Sequence, residues 1–539
     1  MKQIQTSFII VLIIIMTTFG SRAQEVLWEK SFGGKQSEYL LDLVPTADYG
    51  FLLAGSSLSD KSGNKDNKGN GDLDYWLWKM NEKGDIDWQK QFGGSGTDML
   101  QTAFGTLDGG FILGGTSSSN KSGDKLTDGL GSDDYWIIKL DAKGNEQWQK
   151  TMGGESQELL QTIIQTKDGG YLIGGSSSSS ANTSTNLNKD QYIKTADNFG
   201  NLDYWILKLD SSGKLEWQKS FGGEYADILK SVVQTPDAGY ILGGTSNSPI
   251  SGNKNTDSYG MSDYWLIKID KSGTEEWQSN YGGSKDDHLS QMIATSDNHL
   301  ILAGYSYSSS DGNKNKGNRE GSDIWLVKID QNSSILWQET YNIGKQDFLT
   351  SIIENKDKTI LLGCHAKSEI TMRQKQDKEG VNDFTIIKLK ENNEELWRKN
   401  VGGSGEDILR KAIETRDGGY VLAGTSSSKV SGERNSSIGM NDFWVVKLKD
   451  KDKLPPIKNI IEAIPNPAND YTNIIIGYDF EEGTASLYDL AGRQISSFPI
   501  YNRTVPIELT GLPEGIYVVN IKTNMGNDSV KIIKNSAIK

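Results

Sequence analysis

The stretch SDDYWIIKLDAKGNEQWQKTMGG, Ser132 to Gly154, holds two tryptophans, a run of acids and a Gly-Gly pair, and its recurrence decides the fold. Trp148 has counterparts at Trp28, Trp88, Trp217, Trp277, Trp337 and Trp397, spaced by 60 residues except for one interval of 69. Trp136 has counterparts at Trp76, Trp205, Trp265, Trp325 and Trp444, while the sixth copy carries Thr385. Seven copies of one unit are therefore present. Each copy reads as four short strands, as in WQKQFGG, DILKSVVQT, GYILGGTS and DYWIIKLD. Two turn signals join them: T-x-D-x-G, where the acid bonds the turn backbone and glycine supplies positive φ, and D-x-x-G, a tight hairpin.

Strands such as YWIIKL are apolar at consecutive positions, so both faces must be covered. A sheet stacked between two neighbours meets that need. The expectation is an all-β, seven-bladed β-propeller over residues 24–450, with a 60-residue period lengthened by a polar loop before each fourth strand. If the D-x-L strand is innermost, the last blade lacks its outer strand, and the N-terminal EVLWEKSF should fill the gap.

Repetition also weighs scaffold against site. Seven similar tryptophans suit sheet-on-sheet packing better than one ligand. The acids Asp74, Asp134, Asp203, Asp263, Asp323, Asp383 and Asp442 before the fourth strand read as backbone-bonding groups. A second set, Glu38, Asp98, Glu158, Asp227, Asp287, Asp347 and Asp407, precedes the second strand. These seven either ring one mouth of a channel and hold a cation such as Ca²⁺, or cap the adjacent glycine amides; capping is the favoured reading. No other cofactor is expected. The loops rich in Asp, Asn and Gly match no calcium-loop pattern. T-x-D-x-G loosely resembles the Asp-box of sialidases, but its later Thr-Trp is missing and no arginine lies between Arg22 and Arg319. The three histidines, His288, His299 and His365, form no zinc pattern. The sixth copy is irregular, with Asn342-Ile343, Cys364-His365, Thr385 and the loop KSEITMRQKQDKEG, and such a departure marks a candidate for specialised function.

The opening MKQIQTSFIIVLIIIMTTFGSRAQ reads as a secretory signal peptide cut after Ala23. Its apolar run is too short to span a bilayer, and no comparable run follows. A net charge of −14 argues against nucleic acid. The single cysteine leaves no internal disulfide.

After a charged linker, residues 451–458, the repeat ends. IPNPANDY from Ile464, ASLYDLAGRQI from Ala485, LTGLPEGIYVVNI from Leu509 and SVKIIK from Ser529 resemble, in order, the motifs of the type A C-terminal sorting domain of the type IX secretion system. The alternation in IYVVNIKT itself suits a small antiparallel, Ig-like sandwich over 459–539. The resemblance implies passage through the periplasm, recognition by the secretion machinery, and surface attachment or release. It carries recognition positions onto Pro465, Asn466, Pro467, Asp489, Gly492, Arg493, Gly515 and Tyr517. The expected activity is binding of a glycan, polymer or protein, the alternative being a glycan hydrolase or lyase using carboxylates on one face.

Overall fold

The computed structural model describes residues 24–182, 189–319, 321–367, 382–451, 461–469, 471–478 and 480–535. The signal-peptide reading, the linker and most of the loop KSEITMRQKQDKEG lie outside these. The described residues form an all-β protein built mainly of four-stranded antiparallel sheets. The first sheet runs Glu38–Pro45, Phe51–Ser57, Asp74–Met80, Ile86–Phe92, each strand pairing with the next in sequence. Five more repeat this order, with innermost strands Asp98–Gly105, Glu158–Gln165, Asp227–Gln234, Asp287–Ala294 and Gln346–Glu354. A seventh joins Asp407–Glu414, Tyr420–Ser426 and Asp442–Lys449 to the N-terminal strand Glu25–Phe32, which sets Trp28 opposite Lys447 and Phe32 opposite Phe443. Its outer strand is thus supplied by the start of the chain, as ring closure requires.

Each innermost strand touches the innermost strands on both sides, and Glu38–Pro45 touches Asp407–Glu414, so the sheets make a closed circle. The longer third repeat adds a short strand, Gln191–Ile193, parallel to Glu146–Gly153 on the outside of the second sheet.

Burial follows from this stacking. Asp74–Met80 and its equivalents, the fourth strand of each sequence repeat, are buried almost throughout, and Trp76, Trp136, Trp205, Trp265, Trp325 and Trp444 are fully enclosed. Each indole nests against an aromatic ring of the preceding sheet: Tyr75 on Trp136 at 5.0 Å, Tyr204 on Trp265 at 4.9 Å, Phe384 on Trp444 at 4.8 Å. The indole N–H groups are satisfied within the sheet, as when Trp205 donates to Gln218 at 2.9 Å. The second tryptophan set is only half-buried and packs edge-on against the next sheet, as Trp148 does on Tyr171.

The T-x-D-x-G turns need one correction. Positive φ falls on the fourth residue of the turn, not on the fifth where the glycine stands, at Tyr49, Gly109, Gly169, Ala238, Asn298, Lys358 and Gly418. Where a glycine ends the turn, space is tight: a Cβ on Gly170 would sit 2.3 Å from the Leu209 carbonyl and 2.5 Å from Lys208 Nζ, while His299 and Thr359 take this place in the fifth and sixth copies. That lysine is buried and reaches back to the turn acid, Lys208 to Asp168 at 3.0 Å, a tie repeated by Lys139 to Asp108 at 2.8 Å.

The C-terminal part forms a three-stranded and a four-stranded antiparallel sheet around a shared core that includes Ile474, Leu487, Tyr517 and Val519. It touches the ring through Arg503 to Glu82 at 2.7 Å, Lys143 to Glu508 at 2.5 Å and Tyr49 to Glu462 at 2.5 Å.

Candidate functional site

Every innermost strand breaks register once, between Leu40 and Asp42 in the first sheet and between Leu229 and Ser231 in the fourth, with equivalents in the others. The skipped residue is a β-bulge, which presents two consecutive side chains on one side of the strand. That side faces the ring centre, where a cavity of about 610 Å³ is lined by strands from all seven sheets. Around the circle the residue pairs are Leu41-Asp42, Gln101-Thr102, Gln161-Thr162, Lys230-Ser231, Ser290-Gln291, Thr350-Ser351 and Arg410-Lys411.

In six of the seven pairs the second member stitches sheets together, Thr102 by donating to Asp42 at 3.2 Å. Asp42 accepts the Ala103 N–H at 3.1 Å, Ser231 that of Met292 at 3.0 Å, Gln291 that of Ile352 at 3.0 Å and Ser351 that of Ala412 at 3.2 Å. Lys411 has no acceptor to offer. It instead closes the circle as a donor, to Asp42 at 3.0 Å.

The first member varies freely, and the cations Lys230 and Arg410 stand there. Lys230 and Arg410 face the cavity without an ion-pair partner among the described residues, and Arg410 Nε is buried with no hydrogen-bond partner. Burial lowers the pKa of both. Between them lie His288 and Tyr305, with rings 5.0 Å apart, followed by Phe348 at 5.0 Å from Tyr305 and His365 at 5.3 Å from Phe348. Burial pushes both imidazoles down, His365 to about 4, with Lys230 adding to the effect at His288 and Arg410 at His365.

The sequence singled out His288, Cys364 and His365 but missed Lys230, Tyr305 and Arg410. Stacking the repeats in register would have found them. Tyr305 and His365 stand in the column occupied elsewhere by Ser56, Thr116, Ser176, Thr245 and Thr425, and Lys230 and Arg410 stand among Leu, Gln, Ser and Thr.

The seven acids Glu38, Asp98, Glu158, Asp227, Asp287, Asp347 and Asp407 are fully buried and none lines the cavity. Each accepts a backbone N–H four residues earlier, Gly34 to Glu38 at 2.9 Å, Gly154 to Glu158 at 2.8 Å and Ile343 to Asp347 at 2.8 Å among them. Serine hydroxyls complete most of these cages, as with Ser177 to Glu158 at 2.8 Å. Each acid also lies beside a fourth-strand acid. A Cβ on Gly153 would fall 1.8 Å from Asp134 Oδ1 and 2.8 Å from Glu158 Oε2. The fourth-strand acids bond backbone as expected, Leu130 N–H to Asp134 at 2.6 Å and Tyr259 N–H to Asp263 at 2.6 Å. Burial, reinforced by the neighbouring carboxylate, raises Asp134 and Asp263 to about 7 and Asp74 and Asp203 to about 6. The positive charge beside these pairs is the protein's own: Lys65, Lys125, Lys194, Lys254, Lys314 or Arg434. Among the described residues no group of three or more His, Cys, Asp or Glu side chains could hold a metal ion.

In the C-terminal part, Asn466 and Pro467 are exposed, and Ile464-Pro465 and Asn466-Pro467 are cis. Asn466 Oδ1 accepts the Ile533 N–H at 2.8 Å and its amide donates to the Lys531 carbonyl at 2.7 Å, fixing the segment to the last strand. Thr472 donates to the Pro465 carbonyl at 2.7 Å. Asp489 accepts the Arg493 backbone N–H at 2.9 Å, Gly492 has φ of +77° and Gly515 φ of +148°, and the Arg493 side chain is 81% exposed. Tyr517 is buried and donates to the Pro513 carbonyl at 2.6 Å.

Residues 462–535 match the family model described as "Secretion system C-terminal sorting domain". The protein is therefore exported, either secreted or attached to the cell surface, and its tail engages the type IX secretion machinery. Among the described residues no helix is long and apolar enough to cross a membrane. A curated relative, "Regulatory protein FlaEY" of Caulobacter vibrioides, is 23% identical over 257 residues, covering 46% of this chain. The match spans about a quarter of that relative's length, 26%. Among solved structures, a puromycin hydrolase aligns with a TM-score of 0.42 at 10% identity, covering 82% of this chain and 59% of that one. A protein of unknown function from Dyadobacter fermentans gives 0.41 at 9%, covering 80% and 100%. Sqt1 from Chaetomium thermophilum gives 0.40 at 9%, covering 79% and 100%.

Proposed function

We propose that the protein is an exported seven-bladed β-propeller that binds a glycan, polymer or protein ligand in its ring-centre cavity, followed by an Ig-like sandwich that carries its secretion address. One observation carries the binding reading. Positions that build the frame repeat from sheet to sheet, whereas the bulged residues on the cavity wall, from Leu41 round to Arg410, differ in size, polarity and charge. A frame needs sameness, and a site needs difference. The wall's acids are already engaged, Asp42 by Lys411 and Asp286 by Ser262, which favours binding over hydrolysis by two free carboxylates.

The test is a glycan array probed with the exported protein and with Gln101→Trp, whose indole would fill the cavity. Retained signals that vanish with the filled cavity support the reading, and signals indifferent to it overturn it.

The address reading assigns export to residues 1–23 and surface delivery to the sandwich. Asn466, Pro467, Gly492, Arg493 and Gly515 form its exposed recognition features, while Pro465, Asp489 and Tyr517 hold them in shape. Arg493→Ala should leave the folded domain intact and cut the amount of protein reaching the surface. Unchanged delivery would remove Arg493 from the address.

A further inference from the structure

The cavity wall is chemically lopsided. In five sheets a third-strand hydroxyl latches the next sheet: Ser56 to Leu100 N–H at 2.9 Å, Thr116 to Leu160 at 3.3 Å, Ser176 to Leu229 at 3.1 Å, Thr245 to Leu289 at 3.1 Å and Thr425 to Leu40 at 2.9 Å. The two remaining, adjacent sheets replace this latch with the rings of Tyr305 and His365. Exchanging a hydroxyl that stitches backbone for a ring gives up frame bonding at two neighbouring positions. What appears instead is a continuous arc, His288, Tyr305, Phe348 and His365, with neighbouring centroids 5.0 to 5.3 Å apart, whose first two rings line the cavity.

The arc is flanked by Lys230 on one side and Arg410 on the other. Elsewhere buried cations are bonded to an acid or a carbonyl, as Lys388 with Asp450 at 2.8 Å, Lys79 with Asp48 at 3.1 Å and Lys194 with the Ser179 carbonyl at 2.7 Å. Lys230 and Arg410 have no ion pair among the described residues, and an anion bound in the cavity supplies the missing countercharge. The cavity charges are Lys230, Arg410 and Lys411 against Asp42 and Asp286, so the wall is net positive in a chain of net charge −14. Burial pushes the His288 imidazole down, which favours its neutral, hydrogen-bonding form on the cavity wall.

We infer that the cavity binds the uronate residue of an acidic polysaccharide, its carboxylate held between Arg410 and Lys230 and its ring face laid on Tyr305 and His288. The inference rests on the ring-centre binding reading and gives it a ligand class. Two features choose an acidic sugar over a simple anion. A guanidinium offers a paired donor edge that fits a carboxylate, and the aromatic arc beside it supplies a flat apolar surface that sulfate or phosphate would leave unused. A volume of about 610 Å³ lies in the range of small-ligand sites.

The experiment is calorimetric titration of the full exported protein with hexamers of galacturonate, of mannuronate and of glucose, and with inorganic sulfate. A uronate hexamer should bind and the glucose hexamer should bind at least ~10-fold more weakly, the worth of one charge-assisted contact. Arg410→Gln and Lys230→Gln should each weaken uronate binding ~10-fold or more, and added salt should weaken it further. Circular dichroism melts confirm that each variant is folded, and Arg410→Lys, which keeps the charge but loses the fork, should fall between wild type and Arg410→Gln. Uronate binding unaffected by these changes overturns the inference, as does sulfate competing as well as the hexamer. A glucose hexamer that binds equally, and is blocked by Gln101→Trp, overturns the uronate assignment while leaving ring-centre binding intact. Failure of every hexamer overturns the uronate assignment too, and the array then decides whether the cavity binds anything else.

Discussion

Ile324 shows how one side chain is accounted for by its neighbour in another repeat. In the first four sheets the matching residue is tyrosine, whose hydroxyl crosses to the tryptophan carbonyl of the next sheet, Tyr264 to Trp325 at 3.2 Å. That hydroxyl lies so near the next third strand that a Cβ on Gly304 would sit 2.6 Å away. With Ile324 the hydroxyl is gone, and Cys364 fills the position that is glycine in the other six copies. Thr385 and Arg398 belong to the same change, since without an indole N–H no glutamine is needed and Arg398 pairs with Glu395 at 2.7 Å instead. Ile324→Tyr should therefore cost ~1–3 kcal/mol through overpacking, and Cys364→Gly in the same chain should recover part of it. Denaturant melts of the four-member cycle check this, and additivity would refute the coupling. The carboxyl pairs give a second expectation. Asp134, Asp263 and Asp347 are raised to about 7 in the folded protein, above their unfolded values, so the stability they contribute is complete below pH ~4 and is lost as pH rises through 7. Asp237, lowered to about 2 chiefly by the Thr235 hydroxyl, acts oppositely and loses its contribution as pH falls below ~4. The melting temperature should fall by at least ~2 °C between pH 5 and pH 8, and Asp263→Asn should flatten that slope. A melting temperature that rises over this interval would contradict the raised carboxyls.

At the scale of strands and turns, much was legible because repetition removes ambiguity. Apolar runs, hairpin signals and a fixed period define four strands per copy, and the missing outer strand of the last copy points to Glu25–Phe32. The capping role of the acids beside Gly-Gly was also readable, because the four-residue spacing recurs in every copy. Two things were not. Where T-x-D-x-G ends in glycine, the crowding around it comes from a carbonyl and a lysine of a strand some thirty residues later, a contact that local turn chemistry does not contain. The cavity charges depend on the bulge, which turns Lys230 and Arg410 inward and leaves no mark in the apolar pattern. The strand-level predictions follow from packing. Trp265→Ala should cost ~3–5 kcal/mol as a large core truncation. A variant lacking residues 24–32 loses the Trp444 to Glu29 bond of 2.7 Å and leaves Asp442–Lys449 as an open edge. It should melt lower and self-associate in size-exclusion chromatography, and an unchanged monomer of wild-type stability would argue that closure is dispensable.

Across the whole molecule, ring and tail have separate cores and meet through few polar contacts, chiefly Arg503 to Glu82 and Tyr49 to Glu462. Ion pairs at a surface contribute little, ~0–1 kcal/mol each. A chain ending at residue 451 should therefore keep the ring's melting transition within ~2 °C, and calorimetry of the full chain should resolve two transitions. A single merged transition would show the tail to be part of the ring's cooperative unit. The tail meets the ring at the turns after the second strands, near Tyr49 and Gly109, whereas the cavity reaches the opposite ends of those strands at Ala226, Ser262 and Asp286. The tail thus leaves the cavity mouth uncovered.

The pairing of Glu25–Phe32 with Asp442–Lys449 also sets an order of events. As the chain emerges vectorially from the ribosome or threads a translocon, its leading strand must wait for more than four hundred residues before its partner arrives. Until then the earlier sheets form only an open arc with a sticky terminus. Commitment to the closed state is thereby deferred until Asp442–Lys449 is available, which places the riskiest interval, for misassociation with a sister chain, just before closure.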